Sequence, residues 1–233
     1  MDADVRRAIA MSHLRGLPPP VLADLVAGAV RSKVPAGAVT HREGEGAPHI
    51  ELVVSGVVRV FVTAPDGRTM TIRYCRSGAL IGVMSLFSAG FTLPATIQAL
   101  VDADVLRLSP RVARTAVERD VRVARALLAE QSERALNFVH EIAGGAFATM
   151  RQRVARHLLD LASERASECA GGHELAAPVT QRELADAVGT VREVVVRVLR
   201  ELRGDGLVRT ERDRIVLVDP EHLTQELGWN RCS

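Results

Sequence analysis

TQRELADAVGTVREVVVRVLRELR, residues 180–203, carries the spacing of two helix starts separated by a single glycine. Thr180 and Glu183 stand three apart, as in a capping box, and Thr190 and Glu193 repeat the spacing. Gly189 between them suits the left-handed residue that closes a helix. Two helices joined by so short a turn form a helix-turn-helix. On the second, Val195, Val198, Leu199 and Leu202 follow the i, i+3, i+4, i+7 rule and predict a buried face. Arg192, Glu193, Val196, Arg197, Arg200 and Arg203 are left outside. The following GDGLVRTERDRIVLV (204–218) reads as two short strands around a charged turn, a wing.

A helix presented this way enters the major groove of double-stranded DNA with its N-terminal residues at base edges. Arg192 and Arg197 can each give two hydrogen bonds to guanine, and Glu193 can accept from cytosine or cap its own helix. Thr180, Arg182, Arg200 and Arg203 are the phosphate candidates, with a solvated helix face as the plainer alternative for the last two. Residues 178–218 hold eight Arg against seven acidic groups, so any binding rests on placed arginines and not on a broad basic field.

Working outward, residues 1 to about 28 carry apolar positions at helical spacing, broken into two short helices by Pro18-Pro19-Pro20. From 30 to 108 short apolar runs (51–62, 70–75) alternate with turns at Gly37, Gly44, Gly56, Gly67, Gly78 and Gly82, and Asp66-Gly67 marks a hairpin. That texture predicts a jelly-roll or β-barrel. Ser109-Pro110 then opens an Ala-, Arg- and Leu-rich stretch without glycine until Gly144. Within it Leu128, Ser132, Ala135, Val139, Ile142 and Ala146 form a short coiled-coil seam, while Leu127 and Phe138 mark a second apolar face. The seam predicts a homodimer, against the alternative that the stripe packs on the barrel. Gly144-Gly145 reads as a hinge, Thr149 and Gln152 as a further capping box, and 167–178 as a linker. The expected division is a sensor domain at 1–109, a dimerisation helix at 110–147 and a DNA-binding domain at 148–233.

Composition narrows the classes. The chain has 233 residues, 47% hydrophobic and 25% charged, which excludes wholesale disorder. No run is long enough for a membrane span, and the start lacks the layout of a signal peptide. Cys75, Cys169 and Cys232 are scattered, which fits a reducing cytoplasm. Lys33 is the only lysine among 30 basic residues, a bias that codon usage in a GC-rich genome explains; net charge is only +2.

This order of elements resembles the cyclic-AMP receptor protein/fumarate-nitrate regulator (Crp/Fnr) family of bacterial transcription factors. The resemblance runs over nearly the whole chain and is carried by the glycine ladder, GALIGVMSLF (78–87) and RELADAVGTVREVVVRVLRELRGDGLV (182–208). It implies an α+β fold: an N-terminal double-stranded β-helix of the cyclic-nucleotide-binding type, a long dimerisation helix and a C-terminal winged helix-turn-helix. It also implies that Arg192, Glu193 and Arg197 read TGTGA-type half-sites in a palindrome, and that RNA polymerase is a partner. Val191 and Val194 stand where the family often has Ser and Thr, so hydroxyl contacts to phosphate are lost.

The effector pocket departs further. Cyclic-nucleotide-binding members present glutamate to the ribose and arginine and serine to the cyclic phosphate. Here those segments read Ile81-Gly82-Val83-Met84 and Leu93-Pro94-Ala95, with Phe138 and Val139 where hydroxyls would meet adenine. A phosphate buried there would lack compensating charge at a cost of several kcal/mol, and Arg134 is the one nearby cation expected. The prediction is no response to cyclic AMP; the pocket takes an unknown, less polar effector or is filled by Phe138 and its neighbours. No cofactor is expected: no cysteine precedes Cys75 to build an iron–sulfur centre, and His41, His49, His140 and Met84 have no diagnostic haem spacing. Cys75 is either a redox sensor or a packing residue. Two other classes compete. A jelly-roll metalloenzyme could draw on His41, Glu43, Glu45, His49 and Glu51, but the His-x-His…Glu grouping is missing and Gly44 and Gly46 make this stretch a turn, so no metal is expected. A regulatory module without its own DNA target is opposed by the intact recognition helix.

Overall fold

The computed structural model describes residues 2–46, 49–87, 93–162 and 175–227, with backbone alone over 140–147. The chain forms two compact units. One comprises Met1–Val62 and Ile72–Val139, the other Thr63–Thr71 and His140–Ser233.

The first unit begins with α1 (Ala3–Ala10), a 3₁₀ turn at His13–Gly16 and α2 (Pro19–Leu25). The proline run therefore does not simply break a helix; Pro18 caps α2 and Pro19 supplies its first residue, where a missing N–H costs nothing. The strands are β1 (Val30–Val34), β2 (Val39–His41), β3 (Ile50–Ser55), β4 (Val58–Thr63), β5 (Thr69–Cys75), β6 (Leu80–Ile81), β7 (Thr96–Ala99) and β8 (Ala103–Leu108). They make two four-stranded sheets, β1-β8-β3-β6 and β2-β7-β4-β5, the jelly-roll arrangement. β3 is buried from Ile50 through Val54 instead of alternating, because one face meets the roll interior and α1 packs against the strand. Leu52, Val53, Leu86 and Val105 are wholly buried at its centre.

All six turn glycines adopt positive φ. At two of them a side chain has no room as well. A Cβ on Gly56 would lie 2.5 Å from the Asp102 carbonyl oxygen, and one on Gly78 would lie 2.8 Å from the backbone of Met11. The Asp66-Gly67 hairpin forms as expected, with Gly67 at φ 84° and the Ala64 N–H donating to the Arg68 carbonyl at 2.8 Å.

The segment expected as one helix over 110–147 is two, α3 (Pro110–Arg119) and α4 (Val121–Phe147). Asp120 between them is extended (φ −139°, ψ 112°), and its carboxylate accepts from the Arg122 N–H at 2.9 Å. It stops one helix and caps the next. The Arg122 guanidinium bonded to it holds the Asp120 pKa down at about 2. Ser109 occupies the N-cap of α3 without a side-chain bond, so Pro110 alone sets that start. The backbone of α4 passes helically through Gly144-Gly145, and the interruption comes afterwards, at 148–149, not at the glycine pair.

The second unit contains α5 (Met150–Ala162), β9 (Ala176–Ala177), α6 (Gln181–Val188), α7 (Arg192–Gly204), β10 (Val208–Thr210), β11 (Ile215–Leu217) and α8 (Pro220–Gln225). The Thr149–Gln152 capping box forms, with reciprocal bonds of 2.9 and 3.2 Å. The end of the expected linker is instead β9, which pairs with β11 and makes the wing a three-stranded sheet, β10-β11-β9. The earlier part of that linker lies outside the described residues. Arg151 ties the unit together, bonding Glu226 at 2.5 Å and Asp205 at 2.7 Å, while Arg153 donates to the Val188 carbonyl.

Cys75 ends β5 at 1% exposure, and burial pushes its thiol pKa up, which suits packing and not redox sensing. In a Cys169→Ser/Cys232→Ser variant, Cys75 is expected to react with Ellman's reagent no faster than the roll opens. Fast labelling of the native protein would restore it as a sensor candidate. Gly78→Ala should destabilise the chain by at least ~1–3 kcal/mol, read as a lower urea midpoint with unchanged slope.

Candidate nucleic-acid interface and effector pocket

The helix-turn-helix is built from the signals in its sequence, with one exception. Thr180 caps α6: its Oγ1 accepts from the Glu183 N–H at 3.2 Å, and Glu183 accepts from the Thr180 N–H at 2.8 Å. Gly189 closes α6 at φ 70°. The second capping box does not form. Residue 191 is the N-cap of α7, a valine with no side-chain bond, because the turn after Gly189 is one residue longer than the Thr190–Glu193 spacing requires.

That exception matters for Glu193. Released from capping, its carboxylate is exposed in the first turn of α7 with no recorded partner among the described residues. Arg192 and Arg197 share the exposed face, and Arg200 and Arg203 continue it. None of these four arginines, nor Arg182, has an intramolecular ion pair among the described residues. Val195, Val198, Leu199 and Leu202 are buried, at 0 to 4% exposure, and fix this orientation.

Thr180, Gln181, Arg182, Arg192, Thr210 and Arg212 line one open groove, which brings α6, the start of α7 and the wing together. Arg192 thus stands beside Arg182, whereas Arg197, Arg200 and Arg203 lie outside this groove along α7. Thr180 spends its hydroxyl proton on Glu183 at 2.7 Å, so a phosphate contact would require it to leave the cap. Arg212 was not singled out by the sequence pattern. It is exposed at the wing tip, where neighbouring Arg209 and Arg214 are both paired with Glu211, at 3.2 and 2.5 Å. The charged turn was visible, but which of its arginines stays unneutralised depends on the hairpin geometry.

In the first unit, Gly82 (φ 90°) leads into a 3₁₀ turn at Val83–Phe87. Val83, Leu93 and Ala95 are buried, whereas Pro94 is exposed and Met84 and Phe87 are 53% and 65% exposed. Phe138 is also 53% exposed, so within one chain it does not fill a pocket. Residues 88–92 lie outside the described ones. Arg134 is not the only cation here. Burial lowers the Arg134 pKa, and the nearby charge of Arg73, from β5, lowers it further. Burial works against the charge of Arg73 as well, but Arg73 bonds Glu130 at 3.3 Å, and that carboxylate favours the charged guanidinium. His13 lies 3.6 Å from Glu130 and 2.8 Å from Glu133. His13, Arg73, Glu130, Glu133 and Arg134 thus form an ionic cluster where β5 and the 3₁₀ turn at His13–Gly16 meet α4. Arg73 went unnoticed because strand periodicity alone does not tell which side chain reaches the helix.

Along α4, Val123, Leu127 and Glu130 are buried, while Leu128, Ala135, Leu136 and Val139 are exposed. The side chains of Ile142 and Ala146 lie outside the described residues. The apolar stripe of the expected seam is therefore uncovered in the single chain over its described part.

His41 and Glu51 are buried in the roll at 5% and 1% exposure, and His49 sits beside them. Glu43 and Glu45 stay exposed on the intervening turn. Burial lowers the His41 pKa. Burial pushes the Glu51 carboxyl up, but its bond to His49 and the charges of His41, His49 and Arg107 outweigh that and hold it below its usual range.

Comparison with known proteins accords with this architecture. Residues 31–120 match the cyclic nucleotide-binding domain, and residues 152–226 match the Crp-like helix-turn-helix domain. The transcriptional regulator LdrP of Thermus thermophilus is 34% identical over 187 residues, 79% of this chain and 90% of that protein. A CRP-like cAMP-activated global transcriptional regulator of Mycobacterium tuberculosis is 26% identical over 97% of this chain and 99% of its own length. The solved structure of CLP, a c-di-GMP responsive global regulator of Xanthomonas campestris, superposes with a TM-score of 0.74 at 26% identity, over 87% of this chain and all of that one. No helix among the described residues is long and apolar enough to cross a membrane. A β-roll with a cyclic-nucleotide-binding architecture, followed by a helix-turn-helix with its arginines outward, places this chain in the Crp/Fnr family of DNA-binding transcription regulators.

Proposed function

We propose that the chain acts as a homodimer on a palindromic TGTGA-like operator, with Arg192, Glu193 and Arg197 reading bases and Arg182, Arg200, Arg203 and Arg212 on phosphates. The observation that carries this reading is the freedom of the first three: exposed, on the N-terminal half of α7, and unpaired among the described residues. Two arginines and an acceptor on one face can discriminate G and C positions, whereas charges tied up in ion pairs could not. Dimerisation is supported by the uncovered stripe Leu128, Ala135 and Val139, since exposed apolar side chains at coiled-coil spacing gain by pairing. Two-fold symmetry of the dimer then requires inverted half-sites. RNA polymerase is the further partner that a transcription regulator of this kind engages.

The effector reading is that cyclic AMP is not a ligand. Relatives of this chain are described as cAMP-activated in one case and c-di-GMP responsive in another, so the family scaffold does not dictate the signal. Here Val83, Leu93 and Ala95 present hydrocarbon where a cyclic phosphate needs donors, and Arg73 is engaged by Glu130. Burying a phosphate against those residues without its own charge partners costs several kcal/mol. An effector of lower polarity, or one whose anionic group reaches Arg134, fits better.

Arg192→Ala is expected to cost ~1–3 kcal/mol on a TGTGA…TCACA duplex and little on random DNA, measured by fluorescence anisotropy at fixed salt. Equal loss on both would remove the base-reading role. Calorimetry with cyclic AMP should show no binding at micromolar concentrations; a micromolar Kd would overturn the effector reading.

A further inference from the structure

The geometry points to a binding site for one divalent transition-metal ion of the Zn²⁺ class inside the β-roll, with His41, His49 and Glu51 as its protein ligands. Each residue offers a ligand atom, and those atoms lie within 4.8 Å of one another. His41 ends β2 and Glu51 lies in β3, so rigid strands fix two of the three; His49 stands just before β3. A tetrahedral ion with bonds near 2.0–2.2 Å needs donors about 3.4 Å apart. The His49 Nε2–Glu51 Oε1 separation is already 3.2 Å, and side-chain rotation supplies the rest.

The hydrogen bonds around the cluster leave one donor poised. Thr40 Oγ1 lies 3.4 Å from Glu51 Oε2 and 3.2 Å from His41 Nδ1. A carboxylate can only accept, so the Thr40 hydroxyl donates to Glu51 and must itself accept from His41 Nδ1–H. His41 Nε2 is then a bare lone pair. It is buried, with no hydrogen-bond partner among the described residues. An orphaned imidazole lone pair beside a buried carboxylate is a cost in the ion-free protein and an asset to a cation. Thr40 serves as the outer partner that fixes the His41 tautomer, as such partners do at metal sites.

Two imidazoles and one carboxylate favour Zn²⁺, Fe²⁺, Co²⁺ or Ni²⁺ over Ca²⁺ and Mg²⁺, which prefer all-oxygen sets. Three protein ligands leave a fourth position for water, and the His49 side chain, 18% exposed, marks the solvent side. Arg107 Nε, 3.4 Å from Glu51 Oε1, opposes a dication at that oxygen. Its side chain is 33% exposed and can turn outward. Binding would exchange the His49–Glu51 hydrogen bond for coordination, and any proton on the coordinating His49 nitrogen leaves to solvent.

The test uses untagged full-length protein, titrated with Zn²⁺ against a chromophoric chelator and with Co²⁺ by visible absorbance. One equivalent per chain is expected, with affinity falling at least ~10-fold in Glu51→Gln and in His49→Ala. Circular dichroism checks folding; should Glu51→Gln misfold, His49→Ala, at a partly exposed position, decides the matter. No uptake at micromolar Zn²⁺, or uptake unchanged in the folded His49→Ala variant, would overturn the assignment. The cluster would then be an ion pair of Glu51 with His49 and Arg107, and other histidines would account for any metal bound.

Discussion

Four buried side chains on one helix govern what this protein can do. Val195, Val198, Leu199 and Leu202 are packed at 0 to 4% exposure, and each full burial is worth about 1.5–3 kcal/mol. Together they exceed any gain from turning α7 to pair its arginines within the chain, since exposed ion pairs contribute at most about 1 kcal/mol each. Rotation of α7 is thereby forbidden, and Arg192, Glu193 and Arg197 have no alternative to the outer face. Arg151 and Arg153 reinforce the packing by fastening α5 to the ends of α6, α7 and α8. The outward arginine face of α7 is thus a consequence of the core of the second unit, with the capped start of α6 and left-handed Gly189 setting the turn that leads into α7.

What could be read directly was local and periodic. Positive-φ turns need glycine, so Gly37, Gly44, Gly56, Gly67, Gly78 and Gly82 announced the roll; the 3.6-residue period announced α7. What escaped was non-local. Asp120 divides the expected long helix because an aspartate in mid-sequence does not reveal whether its carboxylate will cap a new start. Ala176-Ala177 became a strand because β11 offered an edge to pair with, not through any intrinsic preference of alanine. The Thr190–Glu193 box failed because one residue of turn displaced the N-cap to Val191. The same limit hid the approach of Arg73 to Arg134, and it set His41, His49 and Glu51 aside although the three were named together as possible ligands. Those pairs depend on which strands become neighbours, and the glycines of the intervening turn argued the other way.

On the proposed effector reading, the first unit keeps a shared scaffold under a changed signal. The backbone features that shape a cyclic-nucleotide fold persist: the two sheets, left-handed Gly82 and the 3₁₀ turn that follows it. Val83, Leu93 and Ala95 are buried hydrocarbon that offers a phosphate no donor, which on the proposed effector reading is what excludes a cyclic nucleotide. The ionic cluster, with Arg73, Glu130 and Arg134, is held by α4, the helix whose outer stripe is proposed to meet a second chain. A ligand that altered the balance of those three charges would act on the same helix, which gives a physical route from pocket to dimer.

Charge balance completes the argument about specificity. Residues 178–218 carry a net charge of only +1, and the whole chain +2. Non-specific affinity grows with the number of phosphates neutralised and falls steeply with salt. Seven acidic groups interspersed with eight arginines therefore limit the gain from DNA in general, even though Arg182, Arg192, Arg197, Arg200, Arg203 and Arg212 have no ion pair among the described residues. Arg209 and Arg214 are withdrawn from that count by Glu211, and Glu193 adds a repulsion that every phosphate feels. On the proposed base-reading role, that repulsion is offset where Glu193 meets a cytosine amine, so the acidic residue would penalise wrong sequences more than it helps the right one. With weak general attraction, the ratio of specific to non-specific binding can be large at modest absolute affinity, and this ratio is what governs occupancy among many competing sites.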